Sequence, residues 1–140
     1  MTGASVERFV MAQDDRGIFE QALSELRSGR KTSHWMWFVF PQLEGLGHSA
    51  VARHYAVAGL EEARTYLAHP VLGPRLLQCC EAMLALDGST AEDVLGSVDA
   101  MKLRSSMTLF ARAAPGEPLF RQVLDRFFAG DPDEETGRRL

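Results

Sequence analysis

The sequence lacks most of the features that announce a function. Its two cysteines, Cys79 and Cys80, are adjacent. Neighbours on a helix point about 100° apart, which argues against a bridge between them, so both read as small core residues. No Cys-x-x-Cys, His-Glu-x-x-His or paired Cys/His spacing occurs, so neither a metal nor a cofactor is expected. There is no glycine-rich phosphate cradle, which argues against a nucleotide triphosphatase. No apolar run reaches the roughly 18–20 residues that cross a bilayer, and no membrane association is expected. The opening residues MTGASVERFVMAQDD carry acids early and show no cationic-then-apolar leader, so a cytoplasmic location is expected. A net charge of -4 and a pI of about 5.5 argue against nucleic acid as a partner, although they leave room for a local basic pocket. No internal repeat, linker or low-complexity stretch divides the chain.

What is present is an ordinary globular composition, with 46% hydrophobic and 24% charged residues over 140 positions. That length suits one domain, and roughly 68–70% of the unfolded surface can be buried. Ile18, Phe19, Ala22, Leu23 and Leu26 recur at three- and four-residue steps, predicting a helix from Arg16 to Arg30. Asp14 or Asp15 would cap its start and Gly29 its end. Ser33 would cap a short helix over Trp35–Phe40, stopped by Pro41. A buried strand is the alternative for this aromatic run, but no other strand is present to pair with it. Further helices are predicted from Ser49 to Val57, from Leu60 to Ala68, from Pro70 or Pro74 to Leu86, and from Thr90 to Leu95. The last two run from Val98 to Ala113 and from Glu117 to Ala129. The expected fold is all-α, one compact domain of six to eight helices over residues 1–130, with 131–140 as a charged, frayed tail.

Two segments depart from a plain core pattern. In Asp99-Ala-Met-Lys102-Leu-Arg-Ser105-Ser106-Met-Thr-Leu-Phe110, Asp99, Lys102 and Ser106 fall within about 60° of one another on a helix. They share that sector with Leu103, Leu109 and Phe110, while Arg104, Thr108 and Arg112 take the opposite, solvent side. Charges on an apolar face cost several kcal/mol each, roughly, unless they are paired. An Asp99–Lys102 pair one turn apart at the rim of the core is one solution. The other is a pocket in which Lys102 meets an anionic ligand and Ser106 or Ser105 offers a hydroxyl.

The second segment is Ser33-His34-Trp35-Met36-Trp37-Phe38-Val39-Phe40-Pro41-Gln42. At a helix start His34 would be held neutral and available as a base, or it is simply a satisfied structural residue. Trp35 and Trp37 read chiefly as core, with one ring able to stack on a flat ligand. Gln42, after the proline, is placed to read an amide or hydroxyl. His48, His54 and His69 are weaker candidates. Ser106 lies in neither a Gly-x-Ser-x-Gly nor a Ser-x-x-Lys context, so it reads as a donor rather than a nucleophile.

These two segments, with Tyr66-Leu-Ala-His69-Pro-Val-Leu-Gly-Pro-Arg-Leu76, resemble an uncharacterised, mainly bacterial family whose members often carry the label calpastatin. The resemblance runs from Arg8-Phe9 to Phe127, Phe128 and Gly130. It implies an all-helical fold and no established activity. The inhibitor label conflicts with the composition, since a disordered inhibitor is poor in apolar residues.

The leading expectation is a small cytoplasmic protein whose helical pocket binds a polar, anionic small molecule resembling a nucleotide or sugar phosphate, with hydrolysis as a reaction open to it. Lys102 is the anion contact. Ser33, Trp35, Trp37, Gln42 and Ser105 are further ligand contacts, and His34, Asp99 and Ser106 the candidate catalytic groups. The alternative is a non-catalytic adaptor that uses an aromatic groove, which exposure of Trp35 or Trp37 would favour. A nucleic-acid surface formed by Arg104, Arg112, Arg121 and Arg126 ranks third.

Overall fold

The computed structural model describes residues 6–140, so the first five residues of the expected 1–130 domain lie outside the described residues. Ten α-helices follow in order: α1 (Glu7–Asp14), α2 (Ile18–Ser28), α3 (Met36–Val39), α4 (Ala50–His54), α5 (Leu60–Ala68), α6 (Leu72–Leu84), α7 (Ala91–Leu95), α8 (Ser97–Ala113), α9 (Pro118–Phe128) and α10 (Glu134–Arg139). The architecture is all-α, as expected. Among the described residues β-type pairing is limited to a single parallel bridge between Leu43 and Val57.

The helix α8 is the axis of the fold. It packs against α5, α7, α9 and α10, and every residue from Ser105 to Ala111 is buried. The long helix α6 packs on α2, α5 and α9, and α1 closes the far side against α2 and α3. A chain of aromatic rings threads the core. Tyr66 stands edge-on to Phe9 at 5.1 Å and beside Phe110 at 5.4 Å, and Phe110 meets Phe120 at 5.7 Å. Such pairs add about 0.5–1.5 kcal/mol each beyond the area they bury. The Tyr66 hydroxyl accepts a hydrogen bond from Gln13 at 3.2 Å, so the buried polar tip is satisfied, and burial pushes its pKa well above the ordinary value.

Three local expectations fail for identifiable reasons. Neither Asp14 nor Asp15 caps α2. Arg16 and Gly17 both adopt left-handed backbone, with φ of 54° and 68°, and α2 therefore starts only at Ile18 without a side-chain cap. Ser33 does not cap α3; Trp35 holds the N-cap position. The C-terminal segment is not frayed: Asp133 accepts from the Thr136 amide at 2.9 Å and caps α10. Thr136 is fully buried.

That last element also overturns the solvent-facing assignment of Thr108. The segment before α10 lies over it, and Thr108 Oγ1 accepts from the Asp133 amide at 2.8 Å. Elsewhere two backbones meet closely at Gly73, where a Cβ would collide with the carbonyl oxygen of Leu67. Glycine alone permits that contact between the end of α5 and the start of α6.

Candidate functional site

The tryptophan segment is held in place by a buried carboxylate. Past the left-handed Gly29 at the end of α2 the chain turns back over its own helix. Glu25 Oε1 accepts from the Thr32 amide at 2.8 Å, the Ser33 amide at 3.1 Å and the Trp35 indole N–H at 2.9 Å. Its Oε2 accepts from the Ser33 hydroxyl at 2.6 Å and the Gln21 amide at 3.1 Å. Burial alone would raise the carboxyl's pKa. The donors from Ser33, Thr32, Trp35 and Gln21 together outweigh it and hold the group down at about 2. Ser33 and Trp35 thus form part of the scaffold in this structure, and Trp35 is fully buried.

Consecutive side chains on the single turn of α3 diverge by about 100°. Trp37 consequently faces α8, whereas Phe38 faces the opposite side. Beside Trp37 lies an open groove of about 540 Å³, lined also by Gln42, His48, Ser49, Val98, Met101, Lys102 and Ser105. Gln42 is fixed there because its backbone carbonyl accepts from the Val57 amide at 2.8 Å. The Lys102 ammonium lies 4.9 Å from the centre of the Trp37 ring and 3.6 Å from Asp99 Oδ1. Asp99 Oδ2 makes a shorter pair, 2.9 Å, with Lys31. Lys31 in turn sits 5.1 Å from the Trp35 ring.

The structure therefore brings Trp37, Gln42, Lys102 and Ser105 to one groove, with Asp99 behind Lys102. It does not bring His34 there. His34 is exposed and lines a separate depression of about 420 Å³ with Gln21, Phe38 and Tyr55. Ser106 is fully buried, and its hydroxyl has no hydrogen-bond partner among the described residues. Ser105 donates to the Met101 carbonyl at 3.2 Å.

Two residues gain weight from the structure: Lys31, which stands behind the groove through Asp99, and His48, which lines it. Lys31 lies only two residues before Ser33, but its pairing with Asp99 spans 68 positions and leaves no local signal. His48 sits on a loop after Gly47, where the sequence gives no periodicity to place it. Among the arginines, Arg104 is bound to the Asp131 carboxylate at 2.8 Å, and Arg126 donates to the carbonyls of Leu84 and Leu86. Both guanidinium groups serve the fold. Among the described residues no group of three His, Cys, Asp or Glu is placed to hold a metal, and no helix is long and apolar enough to cross a membrane.

Fold and groove together define a class: a single-domain, all-helical protein with a tryptophan-walled groove beside its central helix, where Lys102 faces the carboxylates of Asp133 and Glu135. Residues 3–140 match the model for the family described as Protein of unknown function (DUF1810), and the chain belongs to that family. The chain is also similar to a solved structure, the conserved hypothetical protein Rv1873 from Mycobacterium tuberculosis. The identity is 45% over 96% of this chain and 95% of that one, with a TM-score of 0.94. The comparison with curated proteins gave no match.

Proposed function

We propose that the groove between α3, the 42–49 loop and α8 binds a small anionic metabolite, of the nucleotide or sugar-phosphate kind. One observation carries this reading: two ammonium groups, Lys31 and Lys102, share the single carboxylate of Asp99. The trio holds one surplus positive charge beside a groove, in a chain whose net charge is -4. The other charges of the groove wall are engaged. Glu135 pairs with Arg138 and Arg139, and the Asp133 carboxylate caps α10. Lys102 is the anion contact, the Trp37 ring a platform for a base or sugar face, and Gln42 and Ser105 supply polar contacts.

Hydrolysis is the reaction that such a ligand invites. The imidazole within the groove is that of His48, so His48 replaces His34 as the proposed base. Asp99 acts through Lys102, by holding the ammonium over Trp37. We place the protein in the cytoplasm, and we set the adaptor reading aside because Trp35 is fully buried and Trp37 alone reaches the groove.

The test is thermal melting of wild type and Lys102→Met with AMP and glucose 6-phosphate. In wild type one probe raises the melting temperature, by several degrees at saturating concentration, and in Lys102→Met that rise disappears while the unliganded protein still unfolds in one cooperative transition, a few degrees lower for the lost contacts with Asp99 and Trp37. A wild type indifferent to both probes, or a mutant that still responds, overturns the reading.

A further inference from the structure

On the other side of Asp133, which lines both it and the groove, a cavity of about 420 Å³ lies between the C-terminal half of α8, the helix α9 and the segment leading into α10. Two guanidinium groups line it, Arg112 from α8 and Arg121 from α9. Several arginines of this protein are spoken for. Arg8, Arg64, Arg75, Arg104 and Arg126 reach across the fold to carboxylates or carbonyl oxygens. Arg112 and Arg121 differ: among the described residues neither makes an ion pair, a hydrogen bond or a ring contact. Yet they stand on two different helices around one cavity. The remainder of the wall is largely apolar, with Ala111, Pro115, Leu124 and Pro132.

Two acids share the rim. Asp133 is committed to Thr136, whose hydroxyl and amide it accepts at 2.5 Å and 2.9 Å. Glu134, in the first turn of α10, has no partner among the described residues and lines the same cavity.

We infer that this cavity is a second ligand site, distinct from the Lys102 groove. It takes a small molecule that bears an oxyanion, carboxylate or phosphate, on a compact apolar body. The oxyanion lies between Arg112 and Arg121, whose forked N–H donors suit bidentate pairing. The apolar body rests on Leu124, Ala111 and the two prolines. Glu134 opposes the anion and weakens its binding, so the site's affinity is set by the balance of two cations against one free carboxylate.

The test uses the full chain, titrated with phenyl phosphate and separately with benzoate, and followed by amide nuclear magnetic resonance. The two probes distinguish a phosphate from a carboxylate source. At least one shifts the amides of Ala111, Arg112, Arg121, Leu124 and Gly137. Arg112→Gln and Arg121→Gln each weaken that probe by about tenfold, the loss of one charge-assisted contact. Because both side chains are exposed and unpaired, the melting temperatures of these variants stay at the wild-type value. Glu134→Gln tightens binding several-fold, and Lys102→Met leaves it unchanged. Neither probe shifting these amides below about 10 mM, the millimolar range being the weakest worth calling a site, overturns the inference. So do shifts confined to the Lys102 groove, or binding indifferent to all three cavity variants.

Discussion

Replacing Lys31 and Lys102 by methionine, singly and together, tests whether Asp99 relies on both ammonium groups. Methionine keeps an apolar stem of similar length while removing the charge. The Lys102 contact is the longer, 3.6 Å, and its side chain is 24% exposed. Its loss costs about 0–1 kcal/mol for the pair and about 0.5–1 kcal/mol for the ring contact with Trp37. Lys31 is closer, 2.9 Å, and 10% exposed; with Lys102 left behind as a partner, its loss costs about 1–2 kcal/mol, between an exposed pair and a buried one. Removing both strands a largely buried carboxylate, for which the expected cost is about 3–5 kcal/mol. The double mutant is then less stable than the sum of the singles by about 1–3 kcal/mol, the range of coupled neighbours. Adding Asp99→Asn to the double mutant recovers most of that excess, because the uncompensated charge is gone. Urea denaturation at neutral pH, followed by circular dichroism, gives all the free energies. Strict additivity in the double mutant, or no recovery on adding Asp99→Asn, refutes the shared-carboxylate account.

Glu25 makes stability depend on pH. Its folded pKa, about 2, lies below its ordinary 4.5, so the unfolded chain binds the proton more readily. The resulting stability, about 3 kcal/mol from the size of that shift, is complete above pH 4.5 and is lost as pH falls towards 2. Glu25→Gln flattens the stability profile between those limits; a mutant profile parallel to wild type refutes the assignment. Burial pushes the Cys79 thiol up to about 12, and that of Cys80 also well above its ordinary value, so thiol reagents label both slowly in native protein and quickly in urea. Rapid native labelling of either contradicts this. Asp133→Ala removes the cap of α10 and costs about 0.5–2 kcal/mol, with proteolytic cleavage appearing first within residues 131–140. Cleavage starting elsewhere, at an unchanged rate, contradicts the packed C-terminal helix.

Local rules fixed those elements whose signal is local. The apolar spacing of Ile18 to Leu26, the Gly29 stop that ends that helix, and the Thr90 capping box, in which Thr90 and Asp93 exchange side-chain-to-amide bonds at 3.0 Å and 3.1 Å, all act through neighbours in the chain. The helices they define lie within a few residues of expectation. The same spacing put Asp99 and Lys102 on one face of α8 and marked that face as unusual. What the sequence alone could not supply was the partner at a distance. Lys31 reaches Asp99 across 68 positions, and Glu25 folds the Ser33–Trp35 stretch into a scaffold where a helix cap was expected. The ten C-terminal residues read as polar and loose until α8 offered Thr108 as an anchor. The separation of His34 from Lys102 is of the same kind. Angular position on α3 decides that Trp37 and Phe38 face opposite sides, but only the packing of α1 and α8 on those sides determines which histidine stands beside the groove. Periodicity records which residues share a face; the tertiary fold decides what that face meets, because contact between distant segments depends on how whole helices pack and not on the spacing within any one of them.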